Sequence, residues 1–365
     1  MAVKYVRATG GSDANNGTTF ALGWATLAYA FSGSNASRVA AGDTLAICAD
    51  TGANAFVLTA SVSPDYPGAP TYFNPVYLAG YSMAGLPLTN GSFAKITTAS
   101  TLASGLFSLP TASNFLYTRF SNLLFDGGGS GKASYAISTN LQSNNGHVFN
   151  NCRFTNCSSH GIYGSWQNGV GYPWRFLQCE IDNNGKGGSG NGIASTSSAR
   201  GNIYMRGCSI HNNAGYGVQF GDVGIFINNL IYKNSNDGIQ NTQAGGQNIT
   251  CIFEGNVFFG NTGDGLEVQS TAWIGSIVNN IFRSNGGYGI RTNGMDVDML
   301  NMALMTNNCS HNNTSGHIDI NGGVLPGLGN ITSNPLFTSE TAGSENFSLQ
   351  SGSPCINAGY NPLGY

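Results

Sequence analysis

A small set of charged residues occupies matching places in a repeated sequence and is suited to acid–base chemistry. Acidic residues number only 17 in the 365-residue chain, so their placement carries information. Asp237 and Asp264 each precede a Gly-Ile or Gly-Leu pair, and Glu267 and Arg291 each follow such a pair. Paired carboxylates cleave glycosidic bonds, since one serves as a general acid and the other as a nucleophile or base. These four residues are therefore the candidate catalytic group.

The same pairs define two columns of residues that would run along a stack of repeats. The column before the pairs is His160, Asn191, Tyr216, Asp237, Asp264 and Tyr288. The column after the pairs is Tyr163, Ala194, Gln219, Gln240, Glu267, Arg291 and Asp319. Stacked parallel strands would place neighbours in a column about 4.8 Å apart, close to the roughly 5–5.5 Å between the carboxyl groups of retaining glycosidases. Three residues flank the acids and are candidate glycan-binding residues, namely Tyr216, Tyr288 and Gln240.

The same four charged residues also have a purely structural interpretation. An Asp before a Gly is a preferred turn residue because its carboxylate bonds to nearby backbone, so Asp237 and Asp264 could serve only to hold turns. Glu267 and Arg291 could form a surface ion pair, which contributes little to stability. The sequence leaves the catalytic and the structural interpretation open.

An internal repeat supplies the elements that would position these side chains. Seven segments align without gaps, and in each of them the second and the seventh residue is Cys or Asn. The segments begin 21 to 29 residues apart, which suits one solenoid turn of three short strands. They are 151–157, 178–184, 207–213, 228–234, 255–261, 279–285 and 307–313. Repeats this short cannot bury a hydrophobic face alone, so we expect them to stack.

Stacking predicts that the Asn columns form amide ladders at inward bends of the chain. Cysteine fits the same columns as a small buried residue. We therefore predict that Cys152, Cys157, Cys179 and Cys208 are reduced ladder members and not disulfide partners. The cysteines and histidines do not show the spacing of a zinc site, so the sequence predicts no metal and no cofactor.

Composition excludes several classes of function. Charged residues make up 8% of the chain and the net charge is −3 without a basic cluster, which argues against nucleic acid as a partner. No apolar run approaches the roughly 18 residues of a membrane span. The N-terminus shows no charged segment followed by an apolar one. We therefore expect that the chain folds in the cytoplasm and that its final location is a virion or the extracellular space.

The repeats resemble those of the pectate-lyase-like right-handed parallel β-helix superfamily, which includes polysaccharide lyases, epimerases and phage tailspikes. Residues 5–18, 24–31 and 42–47 are similar to the usual first strand, capping helix and first coil, and residues 334–337 and 347–359 to the usual closing segment. The resemblance implies an all-β, single-stranded right-handed parallel β-helix. Its expected parts are an N-terminal strand and capping helix (1–45), the coils (46–320) and a closing segment (321–365). Helical apolar spacing places the helix over residues 21–32.

The signatures of the known enzymes on this fold are mostly missing. The chain has no Asn-Thr-Asp, Asp-Asp and Gly-His-Gly set of the polygalacturonases and no Asp-Pro-His motif of the alginate epimerases. We therefore predict a structural or adhesive protein, a phage tailspike, fibre or capsid decoration that binds glycans. Its partners would be cell-surface or extracellular polysaccharide and other virion proteins or copies of itself. The alternatives are a polysaccharide lyase or hydrolase and a bacterial cell-surface β-helix.

Overall fold

The chain winds into a solenoid of short parallel strands. The computed structural model describes residues 2–67, 70–89, 91–109, 117–139, 146–164, 173–195, 202–221, 223–242, 250–268, 273–293, 304–319 and 323–360. Three parallel sheets of 11, 10 and 9 strands run along the molecule, and a separate antiparallel hairpin lies near the C-terminus. Between residues 76 and 318 successive strands belong to the first, the second and the third sheet in turn, so each of these coils contributes one strand to each sheet, as the repeat length predicted.

The strands are numbered in chain order through all sheets. The first sheet contains β1 (Val3–Arg7), β2 (Thr44–Cys48), β4 (Val76–Tyr81), β7 (Thr118–Ser121), β10 (Val148–Asn150), β13 (Trp174–Leu177), β16 (Ile203–Arg206), β19 (Gly224–Ile227), β22 (Thr250–Glu254), β25 (Trp273–Val278) and β28 (Leu304–Thr306). The second sheet contains β3 (Phe56–Leu58), β5 (Ala94–Thr98), β8 (Leu123–Asp126), β11 (Arg153–Thr155), β14 (Glu180–Asp182), β17 (Ser209–His211), β20 (Leu230–Tyr232), β23 (Val257–Phe259), β26 (Ile281–Arg283) and β29 (Cys309–His311).

The third sheet carries the columns that contain the candidate site. Its strands are β6 (Phe107–Leu109), β9 (Ile137–Thr139), β12 (Ile162–Gly164), β15 (Ile193–Ser195), β18 (Val218–Phe220), β21 (Ile239–Asn241), β24 (Leu266–Val268), β27 (Tyr288–Arg291) and β30 (Gly316–Ile318). The antiparallel hairpin consists of β31 (Phe337–Ser339) and β32 (Asn346–Leu349).

The core is a column of apolar side chains inside the coils, and many phenylalanines in it stack ring on ring. The stacked pairs, with their centroid separations, are Phe120–Phe149 (4.7 Å), Phe149–Phe176 (5.0 Å), Phe125–Phe154 (5.2 Å), Phe226–Phe253 (5.3 Å) and Phe258–Phe282 (4.8 Å). These separations match the spacing of neighbouring strands. Identical residues in register therefore pack ring on ring and stabilise the coil-on-coil stacking.

Two asparagine ladders run along the solenoid and confirm the predicted columns. In the first, each Asn donates from its backbone N–H and from Nδ2 to the Oδ1 of the Asn in the next coil, over Asn229, Asn256, Asn280, Asn308 and Asn330. In the second, the same two bonds link Asn184, Asn213, Asn234, Asn261, Asn285 and Asn313. Buried amides are satisfied this way.

The cysteines of these columns stand at the N-terminal head of each ladder. Cys208 donates its backbone N–H to Asn229 Oδ1, and Cys157 donates its own to Asn184 Oδ1. Cys152, Cys157, Cys179 and Cys208 are all buried free thiols. A thiol has no amide to offer, so it marks the place where the column of amides begins.

The repeat also contains two positions whose backbone is left-handed. The first residue of each segment has this conformation at Asn151, Gln178, Gly207, Asn228, Gly255, Asn279 and Asn307. The sixth residue has it at Asn156, Asn183, Asn212, Lys233, Gly260, Ser284 and Asn312. Their φ angles lie between 48° and 66°, a region that Gly and Asn tolerate best. This explains why Asn and Gly dominate the repeat beyond the ladder positions.

The N-terminal helix is shorter than the predicted 21–32. It spans Leu27–Phe31, with Thr26 as its N-cap. Residues 21 and 22 form a turn instead. Trp24 pairs with Val6, and the Asp13 carboxylate accepts the backbone N–H groups of Ala25 and Thr26. Apolar periodicity could not reveal these tertiary bonds. In the described part of the chain no helix has the length and apolar character needed to cross a membrane.

Candidate functional site

The third sheet places the predicted columns side by side in strict register. Gln219 pairs with Gln240, Gln240 with Glu267, and Glu267 with Arg291 on neighbouring strands. The column before the Gly-Ile pairs lies in the turns that lead into the same strands. All four candidate catalytic residues and all three candidate glycan-binding residues therefore belong to one surface of the solenoid.

Three carboxylates converge on this surface. Asp237, Asp264 and Glu267 are buried, with 6%, 4% and 6% of their surface exposed. One oxygen of each carboxylate lies within 4.8 Å of the others. Arg291 lies at the edge of the cluster, where its Nη1 is 3.5 Å from Asp264 Oδ2, and its side chain is half exposed. The cluster therefore contains three acids and one cation.

Each aspartate uses one oxygen to hold the next coil. Asp237 Oδ1 accepts the backbone N–H of Asp264 at 2.7 Å, and Asp264 Oδ1 accepts that of Tyr288. Asn191 does the same for Tyr216 at 3.1 Å, and His160 Nδ1 accepts the N–H of Asn191 at 2.8 Å. Asp237 and Asp264 thus have the structural role in turns that the sequence left open, and each fulfils it with one hydrogen bond to the next coil.

Glycines next to these residues let the carboxylates approach the backbone. A Cβ on Gly263 would lie 2.1 Å from Asp237 Oδ1, and a Cβ on Gly287 would lie 2.0 Å from Asp264 Oδ1. In the Gly-Ile pairs, glycine is required because the backbone of the next coil lies close. A Cβ on Gly238 would lie 2.6 Å from the carbonyl oxygen of Gly265. The glycine pattern is therefore required by close packing of one coil on the next.

Burial changes the protonation of the cluster. Burial, the interaction with Glu267 and the nearby carboxylates together raise the pKa of Asp237 to about 7, against the backbone N–H of Asp264. Burial also raises the pKa of Asp264, opposed by the N–H of Tyr288 and by Arg291. Asp237 thus keeps its proton to a much higher pH than an exposed aspartate, and near neutral pH it is present in both forms.

A chain of side-chain amides leads to Glu267. Asn191 Nδ2 donates to Gln219 Oε1 at 3.2 Å, Gln219 Nε2 donates to Gln240 Oε1 at 2.7 Å, and Gln240 Nε2 donates to Glu267 Oε2 at 2.6 Å. Gln240 Nε2 also lies 3.3 Å from the Tyr216 hydroxyl. Gln240, predicted to bind glycan, is therefore engaged in orienting Glu267 and Tyr216.

The two candidate tyrosines bracket the acids along the column. Tyr216 lies one coil before Asp237, and Tyr288 lies one coil after Asp264. Both side chains are half-buried. Each keeps part of its ring surface at the face of the sheet, as a ring that stacks on a sugar requires.

An aromatic stack on the same face was missed by the sequence reasoning. Tyr135 lies with its ring 4.6 Å from that of Tyr163, and His160 lies 5.3 Å from Tyr163, with all three rings within 11° of parallel. Tyr135 belongs to the column before the Gly-Ile pairs, since Ile137 pairs with Ile162. Ala136 replaces the usual Gly there, which hid the match. Tyr163 lies four strands from Glu267, about 19 Å along the solenoid.

Within the part of the chain that the structure describes, two clusters have ligand atoms close enough to hold a cation, and both have internal partners. Carboxylate oxygens of Asp237, Asp264 and Glu267 are of the type that calcium prefers, but Arg291 already contacts this group. The second cluster, on the second sheet, is Glu180, Asp182 and His211. There Arg153 binds Asp182 through two bonds of 2.9 and 2.8 Å, and His211 Nε2 lies 3.2 Å from Glu180. Both arrangements favour internal neutralisation.

Comparison with known proteins supports the fold. The family model described as "Right handed beta helix region" matches residues 135–302. The comparison with curated protein sequences finds no match. Pectate lyase Pel9A superposes with a TM-score of 0.63 at 15% identity, covering 100% of this chain and 93% of that chain. XylC, solved with xylose, gives 0.48 at 10% identity over 92% and 87% of the two chains. The Dettilon tailspike protein gives 0.42 at 15% identity over 74% and 52%.

The three parallel sheets and the superposition on pectate lyase Pel9A confirm the predicted fold. The chain has the right-handed parallel β-helix fold. At such low identity the likeness establishes the fold alone, and one fold of this kind carries many activities.

Proposed function

We propose that this chain binds an extended polysaccharide along the outer face of the third sheet and hydrolyses it at the acid cluster. The observation that carries the proposal is the convergence of three buried carboxylates, among which Asp237 has a pKa raised to about 7. Perturbed carboxyl groups of this kind are found where acid–base chemistry is performed.

The turn role does not account for the acids. Asn191 occupies the same column as Asp237 and accepts a backbone N–H from the next coil in the same way. An uncharged amide is therefore sufficient for the turn. Burying three carboxylates beside one half-exposed Arg291 opposes folding, because desolvation disfavours charge. The second oxygens of Asp237 and Asp264 and the carboxylate of Glu267 thus point to a role beyond the turn.

The geometry supports hydrolysis with retention of configuration. Retaining enzymes hold their carboxyl groups about 5–5.5 Å apart, whereas inverting enzymes need about 6.5–9.5 Å to admit a water. Here the oxygens lie within 4.8 Å of one another. Asp237 would give its proton to the departing glycosidic oxygen while Glu267 attacks the anomeric carbon. Water then displaces Glu267 from the sugar and returns a proton to Asp237.

The remaining residues would bind and orient the chain of sugars. Gln240 holds Glu267, and Arg291 lies half exposed beside Asp264. Tyr216 and Tyr288 bracket the acids, and the Tyr135–His160–Tyr163 stack lies further along the same face. Pectate lyase Pel9A, which shares the fold, is named for action on a polysaccharide, the substrate class proposed here.

The test is depolymerisation of a panel of bacterial capsular, algal and plant polysaccharides. Chain length, new reducing ends and ultraviolet absorbance would be followed together. New reducing ends without absorbance indicate hydrolysis, and absorbance indicates an unsaturated lyase product instead. Asp237→Asn and Glu267→Gln should each lower turnover by at least about 100-fold. Glu180→Gln, on the second sheet, is the matched control and should leave turnover unchanged. Full turnover in both site variants would refute the assignment.

A second candidate is an adhesive protein that binds glycan without cleaving it. The bonds from Asp237 and Asp264 to the next coil favour it, because they give both acids a structural use. A virion tailspike, fibre or capsid decoration belongs here, with other virion proteins or copies of the chain as partners, as does a bacterial cell-surface protein. Binding of a polysaccharide that stays intact across the panel would select this candidate.

A further inference from the structure

The C-terminal segment covers a cysteine that faces out of the coils. Cys309 opens β29 and pairs in register with Ile281, whose column points away from the core. It is nevertheless buried, with 3% exposed. Ile331 and Leu349 line the same cavity of about 250 Å³, and the Cys309 thiol donates to the carbonyl oxygen of Ser333 at 3.2 Å.

A second cysteine lies in the same cavity. Cys355 lines it together with Cys309. The interaction between the two thiols raises the pKa of Cys309 and lowers that of Cys355. The two sulfurs are therefore direct neighbours although 46 positions separate them in the chain.

Two asparagines of the last coils hold the segment that carries Cys355. Asn279 accepts the backbone N–H of Tyr360 at 2.6 Å and donates to its carbonyl oxygen at 3.1 Å. Asn307 donates to the carbonyl oxygen of Ala358 at 2.6 Å. Both asparagines are left-handed corner residues. The neighbouring position of the two thiols is thus fixed by bonds on both sides of the cavity.

The other cysteines are less accessible to solvent than Cys355. Cys179 contacts Cys152 and Cys208 in neighbouring coils, but all three are buried at the inward bends, and burial raises the pKa of Cys179 and Cys208. Of the eight cysteines, all within the described residues, Cys355 alone is not buried. A thiol reacts when it is accessible and readily ionised, and only the Cys309–Cys355 pair offers such a member.

We propose that Cys309 and Cys355 form a disulfide that ties the C-terminal segment to the last coils under oxidising conditions. The Cys355 thiolate attacks oxidised glutathione, forming a mixed disulfide and releasing one glutathione thiolate, which takes up a proton. Cys309 loses its proton and attacks the Cys355 sulfur, which expels the second glutathione. Two cysteine thiols and one glutathione disulfide thus become one protein disulfide and two glutathione thiols.

The cross-link would secure the hairpin of β31 and β32. This hairpin packs Phe337 and Phe347 on Tyr232 and Phe259 of the second sheet. The disulfide closes a loop that contains the whole hairpin, so it limits how far the hairpin can leave that face. Disulfides persist in oxidising surroundings outside the cytosol. We expect the cross-link to form there. The inference is independent of the proposed function.

The test is oxidation of the full chain with oxidised glutathione after removal of reductant. Free thiols are then blocked in denaturant, and digested peptides are examined by mass spectrometry. We expect the eight free thiols to fall to six and a linked Cys309–Cys355 peptide to appear. Cys309→Ser and Cys355→Ser should abolish the link, whereas Cys208→Ala should keep it. Eight remaining thiols, a stable glutathione adduct on Cys355, or a link among Cys152, Cys179 and Cys208 would overturn the proposal.

Limited proteolysis gives an independent measurement. Cleavage within residues 335–360 should slow at least about tenfold on oxidation of the natural chain, because detachment of the hairpin precedes cleavage. The Cys355→Ser variant should show equal rates with and without oxidant. An equal rate for the oxidised and reduced natural chain would contradict the role of the link in holding the hairpin.

Discussion

Asp237 combines a structural bond with a raised pKa in one side chain. Its Oδ1 holds the backbone of the next coil, and its carboxyl group lies in the cluster with Asp264 and Glu267, where its pKa is raised to about 7. Asn191 shows that the structural bond needs no charge. At the residue scale, the difference between an Asn and an Asp in one column is therefore the difference between a bond to the next coil alone and the same bond with a titratable group, on which the proposed chemistry depends.

This difference predicts a pH-dependent stability. The pKa of Asp237 is about 7 in the folded chain and about 3.8 without the fold. The folded state therefore keeps a proton that the unfolded chain has lost, and stability falls as pH rises from about 4 to 7. Asp237→Asn should remove this loss. The free energy of unfolding of the variant minus that of the natural chain, both measured with urea, should therefore be roughly 2–4 kcal/mol larger at pH 8 than at pH 4.

The matched variant acts in the opposite direction. Asn191→Asp places a carboxylate in the same column, so its stability should decrease from pH 4 to pH 8 more than that of the natural chain. Equal pH dependence of the natural chain and Asp237→Asn would show that Asp237 does not titrate near neutrality.

The ladders connect the elements, since each rung joins the corner of one coil to the next. Asn256 receives two bonds from Asn229 and gives two to Asn280. It also donates to the carbonyl oxygen of Phe226. A missing rung would leave several buried donors and acceptors without partners, and each such group is costly. The stability of a coil thus depends on both of its neighbours.

We therefore expect Asn256→Ala to lower the free energy of unfolding by about 3 kcal/mol or more. The control lies one coil away, at the exposed left-handed corner Asn228, where φ is 53°. Asn228→Gly keeps that backbone and should change stability by less than about 0.5 kcal/mol. Chemical unfolding of both variants measures the two changes. Similar losses of unfolding free energy in Asn256→Ala and Asn228→Gly would argue against the ladder as the main contributor to the stability of a coil.

At the scale of the whole molecule, the C-terminal residues close one end of the solenoid. The first ladder ends at Asn330, whose amide donates to the carbonyl oxygens of Met305 and Pro326 at 3.2 and 2.7 Å. The hairpin covers Tyr232 and Phe259 on the second sheet. The last coil would otherwise present unpaired strand edges and an apolar face, both of which favour association.

A chain that ends after residue 319 should therefore form larger assemblies than the full chain at equal concentration. Light scattering during size-exclusion chromatography measures this directly. The Phe347→Ser variant of the full chain tests the apolar face under the hairpin separately from the end of the last coil. In this variant residues 323–334 still cover the last coil. Unchanged size of the shortened chain would mean that its end is protected by other means.

The fold and the columns could be predicted because both depend on periodic identity. Cys and Asn at the second and seventh positions specify the ladders directly. Asn330 was missed because its surroundings depart from the repeat, and Tyr135 because Ala136 stands where a Gly was expected. The helix prediction was wrong at its start because bonds to Asp13 and Val6 come from distant parts of the chain. The raised pKa of Asp237 depends mainly on burial, which no local pattern reveals.

The uniform bonding of the ladders has a consequence for how such proteins change in size over evolution. Every rung makes the same two bonds to the next, so no rung identifies its place in the series. Duplication or loss of one whole coil inside the gene preserves every remaining rung and alters the length by about 4.8 Å. A lineage can thus adjust the length of the outer face of the solenoid in whole-coil steps, without redesigning the core.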